Sequence, residues 1–419
     1  MKRTAAIAAI LSTGALLTAC AGGGAPTDTP TDSPTHNKPT HNGPTHDGPA
    51  EVTEVSALHP RLTYTHEGGL TTLDVITGDT LATTSREGFL RLNPSGDGRT
   101  LLVSAGDEYL LYDTAAQRVD HGDHSHFYSG DPVLTSTAFD APHAGHVVAH
   151  GTHTALFSDG EGTVTLLPTD SFTKDSPAEP THISTGAAHH GVAVPLGENL
   201  LTTTGTEESR SIVRLIDASG TTQAETTDCP GVHGEAVAAG ERVVFGCENG
   251  PVIFDGAQFH KVPAQHEYQR SGNLAGHPDS PYVLADHKID ADAEHEHPTA
   301  VAIIDTRDFS LRTVDLEASY WFRSLGRDEE GNGVVLATDG TLKIIDMERG
   351  EVLRSIPVIE PWEEKEDWQE AGPILKVADS TAYVSDAAGG IFVVDLASGE
   401  VVAQHEVENA PVEMEVTGA

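Results

Sequence analysis

The sequence predicts an all-β fold, a β-propeller, and three observations support this. Short runs of β-branched and apolar residues recur along most of the chain, and each ends in an aspartate followed by a turn. Eight such aspartates are spaced 38 to 58 residues apart, a repeat length typical of propeller blades. They are Asp74, Asp113, Asp159, Asp217, Asp255, Asp305, Asp346 and Asp395. Strong helix signals are nearly absent, and only residues 362–371 could form a turn or two of helix.

The repeats also indicate how the ring closes. Each repeat supplies a small sheet, and packing such sheets around a ring buries both faces of each. Eight blades are predicted, with seven as the alternative because the repeat between Asp159 and Asp217 is irregular. The first repeat lacks an inner strand, whereas residues 411–416 form a strand left over after the last repeat. We therefore expect the C-terminal strand to complete the first blade; an open sandwich or a solenoid is the alternative architecture.

The N-terminus has the pattern of a bacterial lipoprotein signal. Lys2 and Arg3 precede an apolar run, residues 5–17, that is too short to span a bilayer. The run ends in a Leu-Thr-Ala-Cys lipobox, so residues 1–19 are predicted to be a signal peptide and Cys20 to be acylated. The alternative is an ordinary signal with an incidental cysteine. We expect an exported protein on the outer face of the cell membrane, with lipid as its only anchor.

Residues 20–54 are predicted to be a linker, followed by a propeller domain over residues 55–419. The linker is rich in Thr, Pro, Asp and Asn and has little to bury, so it is expected to stay extended and disordered. His36, His41 and His46 recur in it every five residues. These histidines could capture a transition metal loosely, or they could be incidental members of a stalk repeat.

Charge and cysteine content narrow the function classes. The chain carries 24 Lys and Arg against 64 Asp and Glu, so its formal charge is −40 and no basic patch for nucleic acid is visible. A hydrophobic content of 37% still supplies a core, and a monomer is expected. With Cys20 acylated, Cys229 and Cys247 remain and are predicted to form a disulfide. Two free thiols or a cysteine-based metal site are the alternatives.

Clustered histidines, within a total of 23, are the strongest functional signal. The densest run is Asp-His-Gly-Asp-His-Ser-His at residues 120–126. Alternate residues of an extended segment share a face, so His124 and His126 can point the same way, with His121 and Asp123 close by. Imidazoles and a carboxylate are typical zinc ligands. These four residues are therefore candidate ligands; a polar loop that happens to carry histidines is the alternative.

A second set of histidines recurs at the start of successive inner strands. Aligning the repeats places His146, His190 and His233 at equivalent positions. Innermost strands line the central channel of a propeller, so these three candidate ligands are expected to converge at one end of it, where the 120–126 segment could also reach. The alternative is a structural hydrogen bond from each histidine. A looser acidic and histidine-rich group, residues 286–297, is expected to be a solvated loop.

The joint pattern resembles the AztD family of zinc metallochaperones. The similarity rests on the histidine-bearing N-terminal stretch, the H-x-D-H-x-H segment, and the HHGVAV and HGEAV inner strands. The resemblance implies an exported propeller, not an enzyme, that passes zinc to the solute-binding protein of a zinc ABC importer. Some of the following residues would then bind zinc: His121, Asp123, His124, His126, His190 and His233. The lipobox is a departure from the family, whose members are soluble periplasmic proteins.

Two other classes of function remain open from the sequence. A metal-dependent or quinoprotein-like propeller enzyme would use the same channel mouth, and would need acidic ligands and a deep substrate pocket. The aromatic content of 5% disfavours a stacked organic cofactor. The second class is a metal-free protein-interaction propeller.

Overall fold

The computed structural model describes residues 45–293 and 295–419, which form β-strands joined by turns and loops. A 3-10 helix at Thr169–Ser171 is the single helical element in this range, and no helix there is long and apolar enough to cross a membrane. The strands are β1 (Val52–Val55), β2 (Arg61–His66), β3 (Gly69–Asp74), β4 (Thr80–Ser85), β5 (Arg91–Pro94), β6 (Thr100–Ser104), β7 (Glu108–Asp113), β8 (Ala116–His121), β9 (His124–Gly130), β10 (Val133–Asp140), β11 (Ala144–His150), β12 (His153–Ser158), β13 (Thr163–Pro168), β14 (Thr181–Ser184), β15 (Ala193–Leu196), β16 (Asn199–Gly205), β17 (Arg210–Ile216), β18 (Thr222–Thr226), β19 (Glu235–Ala238), β20 (Arg242–Phe245), β21 (Val252–Phe254), β22 (Phe259–Lys261), β23 (Leu274–Ala275), β24 (Tyr282–Asp286), β25 (Ala300–Asp305), β26 (Ser310–Asp315), β27 (Leu325–Arg327), β28 (Gly333–Leu336), β29 (Thr341–Asp346), β30 (Glu351–Pro357), β31 (Ile374–Ala378), β32 (Thr381–Ser385), β33 (Gly390–Asp395), β34 (Glu400–Glu406) and β35 (Glu413–Thr417).

The described strands form eight four-stranded antiparallel sheets and one three-stranded sheet. The four-stranded sheets are written from the inner strand outwards and numbered by the chain order of their second strands: β35-β2-β3-β4 (first), β5-β6-β7-β10 (second), β11-β12-β13-β14 (third), β15-β16-β17-β18 (fourth), β19-β20-β21-β22 (fifth), β23-β24-β25-β26 (sixth), β27-β28-β29-β30 (seventh) and β31-β32-β33-β34 (eighth). The remaining sheet, β1-β9-β8, is called the side sheet below.

The core lies between neighbouring sheets and runs around a closed ring. Val194 and Leu201 of the fourth sheet, for example, pack against Phe245 and Phe254 of the fifth. The eighth sheet packs in the same way against the first, through a cluster that includes Tyr383. The C-terminal strand closes the ring as predicted, because β35 pairs with β2 in antiparallel register and becomes the inner strand of the first sheet. The fold is the all-β propeller that the sequence predicts.

Aspartates at the ends of strands close the turns, with one exception. Asp74, which ends the third strand of its sheet, accepts hydrogen bonds from the backbone N–H groups of Ile76 and Thr77. Asp159 was assigned to the same repeat position, but it follows β12, the second strand of the third sheet. The error arises because the third strand of that sheet, β13, ends in Pro168 and is not followed at once by an aspartate.

Three segments differ from their predicted structure. The histidine-rich segment at residues 120–126 lies in the side sheet, in the hairpin β8–β9, which the chain forms between β7 and β10 of the second sheet and not between the second and third repeats. Part of the predicted linker is ordered: the N–H of Ala50 donates to Asp113 at 2.8 Å, and β1 pairs with β9. Residues 362–371 form no helix; the Trp362 indole donates to the carbonyl of Ala337 instead.

Candidate metal centre

Three histidines converge where the inner strands of the third, fourth and fifth sheets begin. His146 lies in β11, whereas His190 and His233 lie two or three residues before β15 and β19. One ligand atom from each lies within 4.8 Å of the other two, a property of no other group of three His, Cys, Asp or Glu residues among those described. The structure therefore brings these three together as the repeat alignment predicts.

The spacing of these imidazoles matches that needed by a tetrahedral zinc ion. The Nε2 atoms of His146 and His190 are 3.2 Å apart. Zinc–nitrogen distances of about 2.0–2.1 Å place two tetrahedral ligands roughly 3.3 Å apart. The His233 ring centroid lies 5.5 Å from that of His146 and 5.0 Å from that of His190. The three rings therefore form a compact triangle around one point.

Hydrogen bonds behind the rings fix their orientation. His190 Nδ1 lies 2.5 Å from Asp159 Oδ2, and His233 Nδ1 donates to the carbonyl of Gly272 at 2.8 Å. A metal-binding histidine usually uses its second nitrogen in this way, because the bond selects the tautomer whose other nitrogen is free to bind. Asp159 makes this orienting contact with His190, and it does not close the turn after the third strand as the other repeat aspartates do. Both contacts leave Nε2 as the free nitrogen.

His146 faces a carboxylate that sequence reasoning missed. Its Nδ1 lies 3.4 Å from Glu235 Oε2, a buried oxygen without a hydrogen-bond partner among the described residues. Glu235 is the first residue of β19, two positions after His233 in the sequence. A buried carboxylate oxygen is stabilised by a nearby positive charge, and His146 is the histidine within ion-pair distance of this one.

The electrostatic setting keeps the innermost histidine neutral. Burial, aided by the neighbouring His146, lowers the pKa of His233 well below its usual value of 6.5. The side chains of His146 and His190 are 20% and 31% exposed, so the triangle is open to solvent on one side. Neutral imidazoles are the form that binds zinc. Burial thus favours the metal-binding form of His233, and the exposed edges of His146 and His190 make the site accessible.

The predicted disulfide is present and braces this site. Cys229 and Cys247 are bonded, with their Cα atoms 4.9 Å apart, and both are fully buried. The bond ties the segment before His233 to the end of β20. Next to it, the N–H of His233 donates to the carbonyl of Gly246 at 3.0 Å. The alternatives of free thiols and a cysteine-based metal site are excluded.

The β8–β9 hairpin forms a second, exposed histidine cluster. His124 and His126 share one side of β9, with their Nε2 atoms 3.1 Å apart, and the ring centroid of His121 lies 5.1 Å from that of His126. Asp123 Oδ1 lies 3.1 Å from His124 Nδ1. Glu54 of β1 contacts His126 Nδ1 at 2.7 Å. Glu54 was missed because it lies 72 residues away, and only strand pairing in the side sheet brings it here.

The two histidine clusters lie at opposite ends of the strands. Asp107, in the turn before β7, accepts a hydrogen bond from the N–H of His143, just before β11. His146, near the first residue of β11, therefore lies on the side of the sheets at which β7 starts. The hairpin leaves the second sheet after Asp113, at the other end of β7. The expectation that it reaches the same face as His146, His190 and His233 is wrong.

The remaining candidate residues are placed apart from these clusters. His46 lies beside Thr135 of β10, and its Nδ1 contacts the carbonyl of Gly48. In the 286–297 group, His297 pairs with Glu364 at 3.0 Å and Glu296 accepts two backbone N–H groups of its own loop. Cys20, His36 and His41 lie outside the described residues.

Similar proteins were found by sequence and by structure. Over 360 residues, 83% of each chain, the protein is 25% identical to the zinc chaperone AztD of Citrobacter koseri. The crystal structure of Citrobacter koseri AztD matches with a TM-score of 0.75 at 24% identity, covering 87% of this chain and 99% of that one. Dihydro-heme d1 dehydrogenase NirN, at 12% identity and a TM-score of 0.57, covers 91% of this chain and 79% of its own and shares the fold alone. No protein-family model matches. The predicted resemblance to AztD is confirmed.

Proposed function

We propose that this protein is a zinc chaperone that binds one zinc ion through the Nε2 atoms of His146, His190 and His233. The observation that carries the proposal is the 3.2 Å separation of the His146 and His190 Nε2 atoms, since it fits two ligands of one tetrahedral ion. The similarity to a zinc chaperone, AztD of Citrobacter koseri, supports the choice of metal.

A site of three histidines suits delivery as well as binding. Three neutral ligands leave a fourth position of tetrahedral zinc open to water or to a ligand of an acceptor protein. Exchange can begin at that position while the three imidazoles still hold the ion. The partial exposure of His146 and His190 gives an acceptor a route to it. We propose transfer to the solute-binding protein of a zinc ABC importer, and no catalysis.

The exposed hairpin cluster is proposed as a second, weaker zinc site. Its candidate ligands are His121, Asp123, His124 and His126, to which the structure adds Glu54. Zinc binding at an exposed site displaces less water than at a buried one. Because the side chains of the exposed site are held less rigidly, its zinc affinity should nevertheless be lower. Capture by His36, His41 and His46 would raise the local zinc concentration. Mutating His36 and His41 together tests that step, and bound zinc should then be released.

We further propose a monomer that is exported and anchored through Cys20. The support is the lipobox sequence. Metabolic labelling with a fatty-acid analogue in the native bacterium tests the anchor directly. Label on the wild-type protein but not on Cys20→Ser is expected, and an unlabelled wild-type protein would contradict it.

Zinc titration and transfer test the main proposal. Purified, chelator-stripped protein is titrated with zinc against a chromophoric competitor, and the loaded protein is then mixed with the zinc-free solute-binding protein. His190→Ala should abolish the tighter site and the transfer that depends on it. His182→Ala is the matched control, because His182 lies in β14 and contacts Thr165 rather than the cluster. Equal zinc uptake by both variants would refute the assignment.

One observation favours an enzyme as the second candidate. Glu235 places a buried, unpartnered carboxylate oxygen beside three potential zinc ligands, an arrangement that could activate a zinc-bound water. Against this, a channel cavity of about 290 Å³ is lined by Arg91, Arg323, Lys376 and other residues, not by the three histidines. Ester and lactone hydrolysis by the zinc-loaded protein, lost in Glu235→Gln, would support the enzyme.

A further inference from the structure

We infer that Asp286 is a positioning residue for the zinc ligand His233, acting through the peptide unit between Gly272 and Asn273. This inference rests on the proposed zinc site and extends it to the sixth sheet. Asp286 ends β24 and lies outside the cluster of three histidines, so no direct contact with zinc is implied.

One peptide plane connects the carboxylate to the imidazole. The Gly272 carbonyl accepts the Nδ1–H of His233 at 2.8 Å. The N–H of Asn273, on the other side of the same peptide bond, donates to Asp286 Oδ1 at 3.1 Å. The N–H of Gly272 donates to the same oxygen at 2.5 Å. Asp286 Oδ1 therefore accepts the Asn273 N–H of this peptide unit and the Gly272 N–H of the preceding one, while the Gly272 carbonyl accepts from His233.

The environment of Asp286 is built to hold it in place. Its side chain is buried, at 2% exposure, and Oδ2 accepts the side-chain amide of Asn273 at 3.1 Å. Its own N–H donates to the Asn273 carbonyl at 3.0 Å. Burial raises the pKa of Asp286, whereas hydrogen bonds from Asn273 and Gly272 and the charge of Lys288 favour the ionised form. A buried acid with every oxygen engaged by one short segment serves to shape that segment.

The glycines at this point make the bridge possible. Gly234 has a φ of +71°, and a Cβ there would lie 2.3 Å from the Gly272 carbonyl oxygen. The segment after His233 thus passes against the same carbonyl that accepts the Nδ1–H. A small rotation of the 272–273 peptide would either break the bond to His233 or press into Gly234.

The consequence for zinc is a fixed tautomer and a more basic ligand. Hydrogen bonds in a chain polarise one another, so an anion on the N–H side makes the Gly272 carbonyl a better acceptor. A stronger Nδ1–H bond leaves Nε2 of His233 bare and raises its basicity toward zinc. A carboxylate acts on His190 in the same way, but through a direct contact from Asp159. For His233, the carboxylate of Asp286 acts through the peptide unit between Gly272 and Asn273.

The test combines a metal-free measurement with a zinc measurement. Asp286→Asn keeps the shape and removes the charge; Asp255→Asn is the matched control, because Asp255 pairs with His260 at 2.6 Å and accepts two backbone N–H groups elsewhere. Imidazole ¹⁵N shifts report the tautomer of His233 in the zinc-free protein. We expect Asp286→Asn to populate the Nε2–H tautomer and to weaken zinc binding about tenfold, the lower end of the effect of an outer hydrogen-bond partner.

The outcomes separate this inference from the proposed function. Wild-type protein that takes up no zinc refutes the proposed function, and the tautomer measurement still decides whether Asp286 positions His233. A folded Asp286→Asn with the wild-type tautomer, or with the zinc affinity of Asp255→Asn, overturns the inference. If Asp286→Asn does not fold, Asn273→Ala removes one hydrogen bond from the carboxylate and keeps its charge. A smaller loss of zinc affinity is then expected, and no loss overturns the inference.

Discussion

His190 Nδ1 lies 2.5 Å from Asp159 Oδ2, so a carboxylate in the turn after β12 orients a histidine at the start of the next sheet. The N–H of His189 also donates to the Asp159 carbonyl at 2.9 Å. Side chain and backbone of one residue thus fix both the ring of His190 and the segment that carries it. The convergence of His146, His190 and His233 depends on such contacts between sheets.

Replacing Asp159 with asparagine should weaken zinc binding about 10- to 100-fold, because an amide supports the imidazole less well than a carboxylate. Competitive zinc titration measures this loss. Asp74→Asn provides the control, since Asp74 makes a similar 2.8 Å contact with His59 in the first sheet. If both variants bind zinc as the wild type does, the orienting role of Asp159 is wrong.

Breaking the disulfide should affect both stability and zinc affinity. Cys229 and Cys247 are 18 residues apart, and a loop of that length is worth about 3 kcal/mol in the free energy of unfolding. The double serine variant should lose that amount in urea unfolding. It should also bind zinc more weakly under conditions where it is fully folded, because the segment before His233 is no longer tied to β20. A stability loss with unchanged zinc affinity would show that the disulfide does not help to place His233.

The two histidine clusters should bind zinc independently. They lie at opposite ends of the strands and share no residue, so mutations in one should leave the other within about twofold in affinity. Changing His124 and His126 to alanine together should remove the weaker site only. Isothermal titration of this variant and of His146→Ala measures both sites. Strong coupling between the two sites would contradict the separation.

Zinc-free protein should lose stability in mild acid through His287. Burial, followed by the charge of nearby His266, lowers the pKa of His287 from 6.5, although Glu296 and Asp286 act in the opposite direction. As the pH falls below 6.5, the unfolded chain therefore takes up a proton that the folded protein does not, and the free energy of unfolding decreases. Its Nδ1 is also buried without a partner among the described residues.

His287→Phe removes this proton uptake. As the pH is lowered from 7.5 to 5, the free energy of unfolding of the variant should therefore rise relative to that of the wild type, as measured by urea denaturation. A difference that stays constant across this range would contradict the assignment.

Features that recur in each repeat could be predicted from the sequence, whereas contacts between segments that are distant in the chain could not. The alternating strands, the closing strand and the alignment of His146, His190 and His233 all follow from the same recurring pattern. The roles of Glu54 and Asp286 do not, because each depends on residues brought near by a neighbouring sheet or by the side sheet. Asp159 was misassigned because a strand that ends in aspartate looks the same whether it is the second or the third of its sheet.

The pairing of β35 with β2 also has a consequence for chains that are incomplete at the C-terminus. Glu413 donates its N–H to Thr65, 348 positions earlier, so the ring cannot close until the last few residues are available. Because such a contact must overcome loop-closure entropy, we expect it to form after the pairing of strands that are neighbours in the chain. During synthesis, the third to fifth sheets can assemble well before this step. A chain truncated a few residues early would therefore keep His146, His190 and His233 yet present an open edge of β2, a template for pairing with other chains.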